Sequence, residues 1–170
     1  MELRCNVFVG GNFMNDKIVV KNLNDMKAKY KNEHEGYEYN KYEVTKRSDF
    51  SQAYICFYEI MPEKASFPKH YHSYNTECFY IISGEGVVLT NGESIIVKTG
   101  DIVVFPCGKN GTHKLVNTSK KEKLLYIDFD TTNSPDIIHY VDSNKIGIIE
   151  HNISSTFYRI GDDVSYFEGE

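Results

Sequence analysis

Tryptophan is absent from this chain, and cysteine is sparse: Cys5, Cys56, Cys78 and Cys107 are the only four in 170 residues. No two of them form a C-x-x-C pair. That argues against a disulfide framework and for free thiols in a reducing compartment. Long apolar runs are missing as well; none approaches the roughly 20 residues that a membrane span needs. The N-terminus, M-E-L-R-C-N-V-F-V-G-G-N, has a short apolar patch without a basic lead and does not read as a secretory signal. N-x-S/T triplets at Asn110, Asn117 and Asn152 carry little meaning without one. A soluble, cytoplasmic protein is expected. There is no basic excess either. The net charge of −5 opposes a nucleic-acid or anionic-membrane partner. Lysines and carboxylates are interspersed, as on an ordinary solvated surface.

Helical periodicity is also lacking after residue 53, and no helix-turn-helix segment, internal repeat, low-complexity linker or second domain is visible. What the chain has is apolar and aromatic content: 41% apolar residues, with 13 tyrosines and 10 phenylalanines. Those aromatics favour strands, and the length fits one domain, 1–170.

The first fifty residues say least. Residues 7–9 and 18–20 look like short strands, 24–31 like a helical turn capped by Asn24, and 34–42 like a polar stretch around Gly36. From residue 53 the pattern sharpens. Strand-like runs at 53–60, 78–82, 87–90, 94–98, 102–105, 113–117 and 123–129 alternate with turn residues. Asn91-Gly92 is a two-residue hairpin signal. Leu125, Ile127 and Phe129 share one face of the last run. Short strands at this spacing predict an all-β domain, best fitted by a jelly-roll barrel with its core at about 53–130. The rest forms an N-terminal extension, 1–52, and a C-terminal one, 131–170. The latter has a strand at 137–141, an undecided segment at 147–150, and the scattered aromatics Phe157, Tyr158, Tyr166 and Phe167.

One stretch carries chemistry: F-P-K-H-Y-H-S-Y-N-T-E-C-F-Y-I-I-S-G, residues 67–84. His70 and His72 are two apart, so in a strand both imidazoles point to one side. Glu77 follows a short turn at the head of an apolar strand, and His113 lies about one hairpin further on. Imidazoles with a carboxylate suit Fe, Mn, Ni, Cu or Zn. Phe79 and Ile81 share the face of Glu77 and would wall the site, whereas Tyr71 and Cys78 face away. Asn117 shares the face of His113, as a neighbour of the ligands or a turn residue. Glu59 reads as a solvent-facing strand end. Lys69, Lys109 and Lys114 lie near the ligands in sequence, with directions undetermined.

These residues resemble the two motifs of the cupins. The first has two histidines one residue apart, then a glutamate and a glycine, here His70, His72, Glu77 and Gly84. The second has a glycine, a proline, a second glycine, a histidine and an asparagine, here Gly100, Pro106, Gly108, His113 and Asn117. The gap between the second glycine and the histidine is longer than usual by two residues, which lengthens a loop at the barrel mouth. The closing V-S-Y-F-E-G-E is similar to the tail of a group of single-domain bacterial cupins without an agreed substrate. The resemblance implies a double-stranded β-helix in which His70, His72, Glu77 and His113 hold one divalent transition metal (Zn, Fe, Mn, Ni or Cu). It also leans toward a homodimer.

Two kinds of function follow. One is a metalloenzyme acting on a small polar metabolite, like a sugar or sugar-phosphate isomerase or like an oxygenase. The other is a non-catalytic cupin module that holds a small ligand. An isomerase of phosphorylated sugars should carry a cationic group near the mouth, and a non-catalytic module should lack polar groups beyond the ligands.

Overall fold

The structure, a computed structural model, describes residues 18–46, 52–150 and 154–170. Thirteen strands account for nearly all of its regular structure: β1 Lys29–His34, β2 Tyr37–Glu43, β3 Ala53–Ile60, β4 His70–His72, β5 Glu77–Ser83, β6 Glu85–Leu89, β7 Ser94–Lys98, β8 Ile102–Phe105, β9 Lys114–Val116, β10 Leu124–Thr131, β11 Asp136–Tyr140, β12 Lys145–Glu150 and β13 Ser154–Arg159. Among the described residues there is no α-helix, and so none that could cross a membrane.

Three antiparallel sheets form. One runs β1-β2-β3-β10-β5-β8, a second β13-β12-β11-β4, and a third β7-β6-β9. The second and third are stitched together where His70 and His113 exchange backbone hydrogen bonds of 3.0 and 2.9 Å. The six-stranded sheet lies against this joined sheet, which is the jelly-roll sandwich expected of the strand pattern.

Period-two alternation builds the core. β3 reads A-Y-I-C-F-Y-E-I, and its buried positions are Tyr54, Cys56, Tyr58 and Ile60. Phe79 and Ile81 of β5 and Leu124 and Tyr126 of β10 meet them from neighbouring strands. Tyr58 stacks on Tyr126 at 5.4 Å, and Phe79 leans on Tyr126 at 4.6 Å. The hydroxyl of Tyr126 is satisfied by Ser66 at 2.9 Å, so the ring is buried at no hydrogen-bond cost. The Asn91-Gly92 turn closes β6 onto β7 as its sequence predicts, with Thr90 N–H donating to Glu93 O at 2.9 Å.

Three expectations for the N-terminal part need correction. Residues 18–20 are irregular, not a strand. The helical turn at 24–31 shrinks to a 3-10 turn, Leu23–Asp25, capped by Asn22 rather than Asn24, because Lys29 already begins β1. The polar stretch at 34–42 is mostly β2, with Gly36 at φ 82° making the turn from β1. Polar residues hid these strands because none of their positions is fully buried. Residues 7–9 lie outside the described residues.

Candidate metal centre

The geometry begins with β4, three residues long and buried throughout. Its alternation sends His70 and His72 inward and Tyr71 outward, where Tyr71 stacks on His139 at 4.4 Å. Glu77 opens β5 in the facing sheet. His113 sits just before β9 and is brought beside His70 by the backbone bridge between them. The four residues between Gly108 and His113 do not swing out as a longer loop. They fold into a 3-10 turn, Lys109–Gly111, that hands His113 back to the sheet.

Three of these side chains converge on one carboxylate oxygen of the fourth. Glu77 Oε2 lies 3.5 Å from His70 Nε2, 3.4 Å from His72 Nε2 and 3.2 Å from His113 Nε2. Among the four, His70, Glu77 and His113 have candidate ligand atoms all within 4.8 Å of one another. His72 joins them through Glu77.

The other ring nitrogens explain this orientation. His70 Nδ1–H donates to Pro68 O and His113 Nδ1–H to Gly111 O, each at 2.8 Å. Because a carbonyl only accepts, both rings carry their proton on Nδ1 and turn the Nε2 lone pair toward Glu77. His72 Nδ1–H donates to the buried carboxylate of Asp136, at the start of β11. Asp136 is held in turn by the backbone N–H of Tyr74 at 3.1 Å and by Asn75 Nδ2 at 3.0 Å. Carboxylate and carbonyl partners of this kind are what fix ligand histidines in metal proteins.

Charge follows the same geometry. Burial works against a proton on His72, but the bond to Asp136 and the Glu77 carboxylate outweigh it and raise the ring to about 10. Burial pushes His113 down to about 4, against the pull of Glu77, so this ring is neutral at pH 7. Burial alone would raise Glu77; the imidazoles of His113 and His70 around it hold it well below the usual carboxylate range. What remains is a buried anionic oxygen and a buried imidazole nitrogen, Glu77 Oε2 and His113 Nε2, neither with a hydrogen-bond partner. Buried polar atoms are rarely left so. A divalent cation between them would satisfy both, and the donor set of imidazole nitrogens and a carboxylate oxygen fits one of the borderline metals.

A second acidic group adjoins the first. Asp128 and Asp130 of β10 point inward, and their oxygens lie within 4.8 Å of Glu77 and of each other. Neither was singled out from the sequence, and neither was Asp136. The signal for the pair was the alternation Y-I-D-F-D, which shows that the two aspartates share a face but not that the face is buried. Of the two roles expected for Asn117, its bonds match the turn residue. Its amide donates to the carbonyls of Ile60, Met61 and Glu122 at 2.9–3.1 Å, clamping the chain where β9 ends. Cys78 faces outward as expected, and Glu59 is bound by Asn40 and Lys123 at the surface. Lys114 turns away from the centre, onto the ring of Tyr37 at 4.7 Å.

Comparison with known proteins agrees with this architecture. The family model of the cupin domain matches residues 56–129. No curated protein matches the sequence. Among solved structures, a proposed sugar phosphate isomerase of Acidithiobacillus ferrooxidans superposes with a TM-score of 0.72 at 21% identity, covering 84% of this chain and 91% of that one. A sugar phosphate isomerase of the cupin superfamily from Silicibacter pomeroyi gives 0.71 at 18%, covering 85% and 96%. The polyketide cyclase RemF of Streptomyces resistomycificus gives 0.58 at 18%, covering 71% and 84%. At these identities the likeness is one of fold. Its two motifs, its sandwich and the match of residues 56–129 to the cupin domain together support a cupin-type protein.

Proposed function

We propose that this protein is a metalloenzyme acting on a small polar metabolite, and that His70, His72, Glu77 and His113 hold its one divalent transition metal. The observation that carries the reading is the convergence of three imidazole Nε2 atoms on Glu77 Oε2, with every Nδ1 already committed elsewhere. Bound there, a divalent ion supplies Lewis-acid polarisation of a substrate oxygen. Asp128 and Asp130 favour an enzyme over a passive module, because they place polar groups beside the ligands that ligation does not need. The names of two similar structures, both sugar phosphate isomerases, favour an isomerase over an oxygenase. Free thiols at Cys56, Cys78 and Cys107 suit a cytoplasmic location.

Metal analysis of protein purified without chelators is the direct test. About one transition-metal ion per chain is expected, and His72→Ala should lose most of it, since one of few inner ligands is gone. Full occupancy in that variant would sink the assignment.

The same reading includes a homodimer. On the outer face of the six-stranded sheet, cross-strand neighbours form two apolar rows, Val104–Cys78–Phe129–Ile55 and Ile102–Tyr80–Ile127–Phe57. Ile102 is 66% and Val104 59% exposed at the sheet edge. A second copy related by a two-fold axis would cover both rows with the same surface. Light scattering should give about twice the chain mass of 19.6 kDa, falling to one chain in Ile102→Glu/Val104→Glu. A wild-type mass of one chain at every concentration would refute the dimer.

A further inference from the structure

The sheet that carries His70 and His72 continues outward, and its register decides what lies beside them. Residues paired across antiparallel strands share a face. His70 pairs with Tyr140, Tyr140 with Lys145, and Lys145 with Arg159. One row on the metal side of the sheet therefore reads His70, Tyr140, Lys145, Arg159. The contacts bear this out. The Tyr140 ring lies 6.0 Å from that of His70, and Lys145 Nζ sits 4.8 Å from the Tyr140 centroid. The adjacent row ends in Gly147 and Phe157. A Cβ at Gly147 would meet the Phe157 ring at 2.9 Å, so the bare glycine is what lets Tyr140 and Phe157 close toward each other. Lys145 is thus held against two rings, at 4.8 and 5.7 Å.

Two features of this row call for an anion. Lys145 and Arg159 stand directly opposite each other on neighbouring strands, and like charges so placed repel. Among the described residues no carboxylate forms an ion pair with either. The barrel interior has the opposite character. The oxygens of Glu77, Asp128 and Asp130 crowd within 4.8 Å, and no lysine or arginine is buried among the described residues. Apart from the metal itself, three carboxylates disfavour an anionic group inside, whereas the outer row offers it two cations. Lys145 is two strand spacings, about 10 Å, from the His70 backbone, within the span of a small elongated metabolite.

We propose that Lys145 and Arg159, set beside Tyr140, form the binding site for an oxyanion, phosphate or carboxylate, on a metabolite whose neutral, hydroxyl-bearing end reaches the metal centre. The inference rests on the metalloenzyme reading and adds to it the class and the orientation of the substrate: hydroxyls inward, charge outward.

The test is calorimetric titration of the metal-loaded protein with glycerol 3-phosphate, glycerate and glycerol. At least one of the two anionic probes should bind tenfold or more tightly than glycerol, and the stronger of them identifies the oxyanion. Lys145→Gln and Arg159→Gln should each erase most of that preference without changing glycerol binding. Lys145→Arg should retain the preference, which separates loss of charge from loss of packing on the two rings. Equal binding of all three probes, no binding of either anion at millimolar concentration, or a preference that survives Lys145→Gln would overturn the proposal. Ion content is measured on the same samples. A Lys145-dependent preference in protein that binds no metal refutes the metalloenzyme reading alone, whereas full metal occupancy without that preference refutes this inference alone.

Discussion

Gly111→Ala is expected to destabilise the protein by about 2–3 kcal/mol, lowering Tm by on the order of 5–10 °C, and to weaken metal binding in the same variant. Gly111 is buried at the end of the 3-10 turn before His113. A Cβ there would overlap the carbonyl oxygen of Pro106, and the obstacle is backbone, not the end of a flexible side chain. The chain must move, and the Gly111 carbonyl that accepts the Nδ1–H of His113 moves with it. Thermal unfolding of the chelated variant reads the first effect and metal titration the second. Gly92→Ala is the control, since nothing lies within 4 Å of a Cβ at that exposed turn, and it should leave both readings near wild type. A Gly111→Ala protein with wild-type Tm and occupancy would show that the turn is not what orients His113.

Asp136→Ala should be more damaging still, about 3–5 kcal/mol in the metal-free protein. The substitution strands a buried imidazolium at His72 and removes the acceptor for Tyr74 N–H and Asn75 Nδ2. The loss should depend on pH. Burial pushes Asp136 up, but its bond to His72 outweighs this and holds it below its ordinary value, so its contribution is present above about pH 4 and fades as pH falls through the lowered value. His72 is raised to about 10, so its contribution is complete below about pH 6.5 and fades as pH rises toward 10. Wild type and variant should therefore differ most between about pH 4 and 6.5. Denaturant unfolding of chelated protein across this range is the measurement, and a difference that grows above pH 8 would contradict the pairing. In Asp136→Asn, which keeps the shape, metal affinity should still fall about 10–100-fold.

The spacing of His70, His72, Glu77 and His113 could be read from the sequence because local geometry governs it: two residues on one strand face, a short turn, and a hairpin. Asp136 could not. It meets His72 from 64 positions away, through a pairing of β11 with β4 that no local pattern announces. Lys145 was hidden for the same reason, since its place beside the centre depends on the register of three strands. Lys69, Lys109 and Lys114, nearer the ligands in sequence, were the more obvious cations. β10 shows a different limit. Alternation separates Leu125, Ile127 and Phe129 from Tyr126, Asp128 and Asp130, but only the pairing with β5 decides which set faces the core. That pairing aligns Asp130 with Glu77 and Tyr126 with Ile81, which turns two carboxylates inward and leaves Phe129 43% exposed.

The strut between Asp136 and His72 bears on how this gene could be cut and recombined. The stretch that matches the cupin family ends at residue 129, before β11 begins. A fragment trimmed to that boundary would keep all four candidate ligands and both motifs. It would lack the acceptor that fixes the His72 tautomer, and β4 would become a bare sheet edge. Such a fragment would look complete by motif and lack the support its centre depends on. Keeping this strut requires the barrel together with β11, so no graft or fusion junction belongs before Tyr140.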